Sequence, residues 1–304
     1  MPAGIINTGS HPKLLWPGVH ATWGQVYAEH PTEYTDLFDV LSSDRAYEED
    51  VQVTGFGLAP IKTEGGAVSF DTETQGFTKR YTHAAIALGY IVTHEELKDN
   101  LYKDKAFKRA AQLAFSMYTT KQTIAANVYN RAFSSSYTGG DAVELLSASH
   151  PTRSGLQSNI IATAADLSEA AIEDLVIQIM QAKNDRGLQI NLMPESLIVA
   201  PGNYFEANRI LQSVQQSGTA NNDANILRAN GVIPKGVKVN HFLTDADAWF
   251  IRTNCPNGLM HYIREAMELS QDNDFDTKNA KAAAYERYSF GWSDWRALFG
   301  SAGA

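Results

Sequence analysis

The longest regular pattern of apolar and polar positions begins at Thr93. Thr93 and Glu96 form a capping box, in which the threonine oxygen accepts a hydrogen bond from a free amide of the first helical turn. Apolar residues then recur at spacings of three, four or sums of these, with no Gly or Pro before three serines at 134–136. They are Leu97, Leu101, Phe107, Ala111, Ala114, Tyr118, Ala125 and Val128. The pattern predicts one helix over residues 94–132, roughly 58 Å long at about 1.5 Å per residue.

The chain before this helix has the pattern of extended structure. Residues 51–58 and 67–70 are predicted strands on either side of a loop rich in Pro and Gly, and the threonine-rich run 71–87 continues in extended form. A ribbon of this length with polar residues on both sides cannot bury a face by itself. Residues 1 to about 30 scatter aromatic residues among Gly and Pro at no steady period, which predicts an extended arm.

The segment after the long helix alternates helix and strand. Ser168 is the predicted N-cap of a helix that ends at Gly187, and an apolar strand over 196–200 precedes a second helix over 204–215. This alternation is typical of a mixed α/β domain. Residues 217–225 are small and polar, the composition of a mobile loop.

The last third of the chain is predicted to form a mainly antiparallel sheet. Its four strands are 237–243, 248–252, 259–264 and 284–292. The chain ends in YERYSFGWSDWRALFG at 285–300, where alternate aromatic residues predict a strand with one aromatic face. These residues are Tyr288, Phe290 and Trp292. Trp295, Leu298 and Phe299 follow at helical spacing, and we expect Trp292, Trp295 and Phe299 to anchor the terminus against the protein's own sheet or a neighbour.

Length and charge narrow the class of protein. A chain of 304 residues with 44% hydrophobic residues can bury one elongated core or two modest ones. A net charge of −9 without any run of five like charges does not fit a sequence-reading nucleic-acid binder. The single cysteine excludes an intrachain disulfide, residues 1–13 lack the basic region and apolar run typical of a leader peptide, and no run of 18 apolar residues occurs. We therefore expect synthesis in a reducing cytoplasm and no membrane partner.

Two stretches resemble metal sites without completing them. The start of the long helix is similar to an H-E-x-x-H zinc motif, but Lys98 replaces the second histidine, so the cap is preferred. Alternate aspartates at 272–276 are similar to the start of an EF-hand loop, yet Thr277 replaces its glycine and Ala283 its bidentate glutamate. An exposed acidic connector is preferred over a weak cation site, and no metal is predicted.

Catalytic motifs are missing as well. The Gly55-Phe56-Gly57 stretch lacks the third glycine and the helix of a dinucleotide loop, and the chain has neither a phosphate-binding P-loop nor a nucleophile elbow. His150 has no obvious acid partner and is predicted to be a loop histidine. Cys255 precedes Pro256 in a turn, as a half-buried structural thiol does. We predict no catalytic residue and no cofactor.

The order of these elements resembles one known family. Three stretches carry the resemblance together with that order: NLMPESLIVAPGNYFEANRILQS at 191–213, LTDADAWFIRTN at 243–254 and the closing YERYSFGWSDWRALFG. They resemble the major capsid proteins of tailed bacteriophages, which have the Hong Kong 97-type fold, and among them the major head subunits of Mu-like phages. The resemblance covers nearly the whole chain.

The resemblance implies an α+β fold divided into regions. These are an N-terminal arm at 1–35, an extended E-loop hairpin with flanking strands at 48–90, a peripheral domain with the spine helix at 91–155, an axial domain at 156–245, and C-terminal strands at 246–304 that return to both sheets. The arm and the hairpin would then find their missing contacts on other copies of the chain. The expected inter-subunit contacts are Trp16, Trp23, Lys62, Gly65, Gly66, Lys79 and Arg80.

The resemblance further implies a structural protein and no enzyme. We expect pentamers and hexamers of an icosahedral head, assembled in the bacterial cytoplasm, that encloses double-stranded DNA without sequence-specific binding. Because the arm-like sequence starts near Met1, we expect a separate scaffolding protein, besides a portal and a possible decoration protein. No Asn and Glu match Lys62 or Lys79 as a cross-linking set. The alternatives are an encapsulin-like compartment shell and, more distantly, a hydrolase or a binding module.

Overall fold

A computed structural model describes residues 31–98, 102–215, 224–274, 276–277 and 279–304. Within these ranges the chain forms two four-stranded sheets, two two-stranded hairpins and helices that pack on the sheets. The predicted contacts Trp16 and Trp23 lie outside the described residues, as does most of the predicted loop at 217–225.

The first sheet has the strand order β1-β10-β11-β4. Its strands are β1 (Asp39–Ser42), β10 (Leu259–Asn273), β11 (Ala280–Trp292) and β4 (Ala84–Val92). Strand β11 pairs antiparallel with both β10 and β4, whereas β1 pairs parallel with β10. The two long strands therefore form the centre of this sheet.

The long helical pattern folds as two described helices on this sheet. They are α2 (His94–Lys98) and α3 (Tyr102–Asn130), with residues 99–101 outside the described ranges, and the short helix α1 (Tyr34–Leu37) precedes them in the chain. The predicted cap is confirmed, because the Glu96 amide donates to Thr93 Oγ1 at 3.4 Å. Apolar residues of α3 pack against the sheet in a separate core cluster. They include Ala110, Leu113, Ala114 and Met117.

An extended hairpin, defined here as residues 47–82, projects from this sheet. Its strands β2 (Tyr47–Thr54) and β3 (Thr74–Thr82) pair antiparallel, with Thr54 opposite Thr74. The prediction of a strand over 67–70 is wrong, because residues 55–73 form no strand. Apolar alternation marks a strand only where a partner strand supplies a ladder of hydrogen bonds, and this connection has none.

The second sheet has the order β12-β9-β7-β8 and contains the main core. Its strands are β12 (Leu298–Ser301), β9 (Trp249–Thr253), β7 (Pro194–Val199) and β8 (Val237–Val239). The prediction that the last four strands share one sheet is wrong, because β8 and β9 belong to this sheet while β10 and β11 belong to the first. Alternation predicts that a segment is a strand but not which strand it pairs with.

Helices cover the second sheet. They are α4 (Glu169–Met180), α5 (Tyr204–Gln212) and α6 (Ile226–Ala229). The Ser168 cap is confirmed, since its hydroxyl accepts from the Ala171 amide at 3.3 Å. The predicted end of α4 at Gly187 is wrong: the helix ends at Met180, and Gly187, with φ of 82°, lies in a turn that the Asn184 side chain closes.

A short hairpin lies between the long helix and α4. Its strands β5 (His150–Thr152) and β6 (Gly155–Gln157) pair antiparallel. The turn over residues 183–189 lies next to it, because the Ser154 amide donates to the Asp185 carbonyl at 3.0 Å. Together they form a platform beside the extended hairpin.

Candidate assembly surface

The base of the extended hairpin is fixed to the first sheet by a buried polar contact. Tyr81 packs edge-on against Tyr262 at 5.0 Å between ring centroids and donates to Ser293 Oγ at 2.5 Å. Ser293 in turn donates to an Asp50 carboxylate oxygen at 2.5 Å, and the Tyr262 hydroxyl donates to the same oxygen at 3.3 Å. Burial and the neighbouring Asp50 carboxylate raise the pKa of Tyr262 to about 12, so it stays protonated as a donor.

The far end of the same hairpin exposes large apolar side chains. Leu58 is 84% exposed, Ile61 is 96% exposed and Phe70 is 94% exposed, and Phe56 and Val68 are also exposed. Surface apolar residues occur singly on most proteins, but several of them on one projection indicate a contact surface. Since the two-stranded hairpin has no core of its own, the cover for this tip has to come from another surface.

The predicted contact residues of the hairpin divide into two groups. Lys62, Gly65 and Gly66 lie in the exposed tip, where Gly65 has a φ of 75° and the Gly66 amide donates to the Thr63 carbonyl. A left-handed φ favours glycine at this turn.

Lys79 and Arg80 lie on β3 and contact their own chain. The Lys79 ammonium donates to the Thr138 carbonyl at 3.3 Å and lies 4.6 Å from the Trp292 ring centroid. Burial lowers the Lys79 pKa. Arg80 pairs with Glu49 at 2.6 Å across the hairpin. These two cations stabilise the hairpin from within the subunit.

The C-terminal aromatic residues pack inside the subunit. Trp292, Trp295 and Phe299 belong to the main core, and Phe299 is only 1% exposed. Phe299 lies opposite Ile251 where β12 pairs with β9. The last strand therefore forms one edge of the second sheet.

His150 was predicted to be a loop histidine, and the structure shows a different environment for it. It is fully buried in β5, and its Nδ1 lies 2.7 Å from an Asp141 carboxylate oxygen, so the prediction that it lacks an acid partner is wrong. Its Nε2 lies 3.1 Å from Asn159 Oδ1, and its ring stacks on Trp295 at 4.3 Å. The separation of nine residues between Asp141 and His150 was the available signal. This arrangement joins the C-terminal segment to the short hairpin and to the loop that carries Asp141.

Arg296 makes a second buried polar contact at the terminus. Its guanidinium donates to Asp185 at 2.8 Å, to Asp294 and to the Lys183 carbonyl, and its side chain is 3% exposed. Buried charges need partners of this kind. Nearby Cys255 has a pKa raised by burial and by the Asp294 carboxylate, so the thiolate form that a nucleophile needs is disfavoured.

The acidic connector at 272–276, the remaining candidate from the sequence, does not form a metal site among the described residues. Asp274 of the acidic connector pairs with Lys281 at 2.8 Å, and among the described residues no three His, Cys, Asp or Glu side chains are placed to hold one metal ion. In the described part of the chain, no helix has both the length and the apolar character needed to cross a bilayer.

A family model described as phage capsid protein matches residues 76–300. The chain therefore belongs to the phage capsid protein family, and it is a structural major capsid protein and a part of the virion. Its fold is the Hong Kong 97-type capsid fold, as the following structures show. No curated protein sequence matches the chain.

Solved structures share this fold at low sequence identity. The capsid of a native GTA particle aligns with a TM-score of 0.59 and 12% identity, over 99% of this chain and 93% of that chain. A protein of Mycobacterium phage Che8 aligns with a TM-score of 0.51 and 14% identity, over 89% and 90% of the two chains. A virus-like particle from Pyrococcus furiosus aligns with a TM-score of 0.51 and 12% identity, over 93% and 97%.

Proposed function

We propose that copies of this chain assemble into pentamers and hexamers of an icosahedral head that encloses double-stranded DNA. The observation that carries the proposal is the extended hairpin, whose base is fixed to the first sheet while its apolar tip is exposed. In the assembled head this hairpin is the E-loop, and its tip lies over the adjacent subunit. Capsomers of both kinds then form from one chain through repeated heterologous contacts, in which one surface of each copy binds a different surface of the next copy and the ring closes.

The regions of the chain take separate roles in this proposal. Residues 1–35 are the arm, 48–90 the E-loop with its flanking strands, 91–155 the peripheral domain, 156–245 the axial domain and 246–304 the strands that return to both sheets. The expected inter-subunit contacts are Trp16, Trp23, Lys62, Gly65, Gly66, Lys79 and Arg80, the last two in addition to the contacts that they make within their own subunit, and the C-terminal anchors are Trp292, Trp295 and Phe299.

Other proteins complete the head. We propose a separate scaffolding protein, a portal and a possible decoration protein as partners, assembly in the host cytoplasm, and no enzymatic activity of the chain itself. The placement among Mu-like phages and the absence of cross-links also stay predictions. The acidic net charge of −9 supports a wall that confines DNA without binding it tightly.

The test is to shorten the hairpin without touching its base. Thr54 and Thr74 lie opposite each other, so residues 55–73 can be replaced by the two-residue turn Asn-Gly. We expect the shortened chain to fold with an unchanged circular dichroism spectrum but to form no shells in negative-stain images. Deletion of the whole range 50–85 is less informative because it removes the buried Tyr81.

Point variants of the tip provide the control. Leu58→Ser, Ile61→Ser and Phe70→Ser together should abolish shells, whereas Leu58→Met, Ile61→Leu and Phe70→Leu together should retain them. Shells from the serine variant would contradict the role of the tip. If the unaltered chain stays a monomer at every salt and protein concentration, the assembly proposal itself is wrong.

An encapsulin-like compartment is the second candidate. The similarity to the virus-like particle from Pyrococcus furiosus supports it, because that particle has the same fold. The two candidates differ in content: a phage head encloses DNA and a compartment shell encloses protein. Nuclease-resistant DNA in particles purified from the native host would favour the head, and a co-purified enzyme without DNA would favour the compartment.

A further inference from the structure

The extended hairpin lies on a platform that belongs to its own subunit. We call this platform the shelf and define it as residues 150–157 and 183–189. Its two parts are joined by the Ser154 amide, which donates to the Asp185 carbonyl at 3.0 Å, and by Gln157 Nε2, which donates to the Asn184 carbonyl at 3.2 Å. The shelf is therefore one unit, contributed by two segments of the chain.

Three polar contacts join the hairpin to the shelf. Gln52 Nε2 donates to Asp185 Oδ2 at 2.6 Å, and Arg153 Nη1 donates to Thr74 Oγ1 at 3.3 Å. Beyond the strands, Arg186 Nη2 donates to Asp71 Oδ2 at 2.5 Å. The contacts thus follow the hairpin from its strands to the loop that carries the exposed apolar residues.

The shelf is anchored on its inner side. Asp185 Oδ1 accepts from Arg296 Nη2 at 2.8 Å while Asp185 Oδ2 accepts from Gln52, so one carboxylate connects the hairpin with the C-terminal segment. Arg296 also donates to the Lys183 carbonyl at 2.9 Å. Because Arg296 is 3% exposed, the shelf turn is held from the core and does not depend on solvent-exposed contacts alone.

Asp71 organises the loop as well as pairing with the shelf. The Gly57 amide donates to Asp71 Oδ2 at 2.8 Å, and the Thr72 amide donates to Asp71 Oδ1 at 2.8 Å. These amides and Arg186 lower the pKa of Asp71, so the carboxylate is ionised at neutral pH. The adjacent Phe70 is 94% exposed, so the shelf holds the loop without covering its apolar residues.

We propose that the shelf is a latch that holds the extended hairpin in one orientation before the hairpin meets a second copy of the chain. Arg186 and Asp185 are the latch residues, and Asp71 and Gln52 are their partners on the hairpin. This inference rests on the proposed function, in which the hairpin tip docks on the adjacent subunit. A single exposed ion pair contributes little to stability. Three contacts at separate points along the hairpin nevertheless limit the orientations that a hairpin without a core can take. A hairpin already ordered in its docking orientation loses less conformational entropy when it binds.

The experiment measures hydrogen exchange of residues 55–74 in the unassembled full-length subunit. We expect Arg186→Asp to speed this exchange by about tenfold, because the loop then opens more often. Arg186→Lys keeps the charge and should retain most of the protection. Gln52→Ala should give a smaller increase. Lys235→Asp is the matched control, because it reverses a cation that pairs with Glu195 at 2.6 Å on the second sheet, away from the hairpin.

Assembly is the second readout. The protein concentration at which shells first form should rise about threefold to tenfold in Arg186→Asp and should stay unchanged in Lys235→Asp. Added salt should raise that concentration less in Arg186→Asp than in the unaltered chain, because the variant has no ion pair left to screen.

The two readouts separate the possible failures. Equal exchange in Arg186→Asp and the unaltered subunit would show that there is no latch. Faster exchange with an unchanged assembly concentration would show that the latch does not prepare docking. If the unaltered chain never assembles, the proposed function is wrong, whereas the exchange result still decides whether the latch exists.

Discussion

His261 is a buried histidine in β10 whose surroundings are almost entirely aromatic. Its ring stacks on Phe290 at 4.1 Å and meets Tyr34 edge-on at 5.0 Å. Among the described residues neither ring nitrogen has a hydrogen-bond partner. Burial, together with the nearby Lys121 ammonium, lowers the pKa of His261 to about 3, so the ring is neutral at physiological pH.

We expect this residue to make the subunit sensitive to acid. The unfolded chain binds a proton on His261 near pH 6.5, but the folded chain does so only near pH 3, so stability present above pH 6.5 is lost as the pH falls between these values. The slope from this one group reaches about 1.4 kcal/mol per pH unit. His261→Phe should remove that share, as measured by urea unfolding of the subunit at about pH 7, 5.5 and 4.

The pH dependence of the free energy of unfolding, rather than its value at a single pH, tests the assignment of His261. Parallel stability curves for His261→Phe and the unaltered subunit between about pH 6.5 and 4 would contradict the assignment.

The sequence pattern could not predict which side chains surround a buried histidine such as His150 or His261. The structure pairs His150 with Asp141 and stacks it on Trp295, although these three positions come from a loop, a short hairpin and the C-terminal segment. Which side chains meet depends on how the segments pack, and periodicity contains no information on this point. Only the nearness of Asp141 in the chain offered a signal.

At the scale of elements, one buried ion pair joins the long helix α3 to β11. Lys121 Nζ lies 3.2 Å from Glu286 Oε2, and the two side chains are 7% and 0% exposed. The ammonium also lies 4.8 Å from the Tyr288 ring centroid. Burial raises the pKa of Glu286, while Lys121 opposes that rise. The lysine therefore stabilises the ionised form of the buried Glu286 carboxylate.

We expect Lys121→Met to destabilise the subunit by about 3–5 kcal/mol, because it leaves Glu286 buried without its partner. The double variant Lys121→Met with Glu286→Leu should lose less than the single variant, because no uncompensated charge remains. Urea unfolding of the unassembled subunits measures both. Strictly additive losses from the two substitutions would show that the pair is not coupled.

A partly exposed ion pair of the same sheet is the matched control. Arg287 pairs with Glu265 at 3.2 Å, with side chains 28% and 40% exposed. Arg287→Met should cost only about 0–1 kcal/mol, because solvent already screens that pair.

Elements were predicted well where local chemistry defines them. The Thr93 and Ser168 caps were confirmed, because a cap joins residues within one helical turn. The strand over 67–70 and the end of α4 at Gly187 were wrong, since both depended on contacts with other segments. For the long helix, the pattern was reproduced by α2 and α3 over the described residues.

At the scale of the whole molecule, the charge of the chain bears on what the shell encloses. A net charge of −9 in 304 residues repels phosphate groups overall. We expect the subunit to bind double-stranded DNA more weakly than the roughly 10⁻⁴–10⁻⁶ M of ordinary non-specific binders at physiological salt.

Fluorescence anisotropy with a labelled duplex tests this at about 0.05 M and 0.15 M salt. A steep loss of binding between the two salt concentrations would reveal a basic surface that contacts phosphate and would contradict the expectation. A monomeric nuclease-free sample is required, so that confinement inside a shell is not mistaken for binding.

The sequence by itself determined the helix caps and the apolar face of the long helical pattern, because caps and periodic apolar positions act over a few residues, and its resemblance to tailed-phage capsid proteins implied the class of fold. It also predicted that the hairpin needs a partner surface, since a polar ribbon cannot bury a face. Only the tertiary structure decided that β8 and β9 join one sheet and β10 and β11 the other, that Asp141 meets His150, and that Arg186 meets Asp71. These contacts depend on the packing of whole segments, and no local pattern along the chain encodes which distant residue becomes a neighbour.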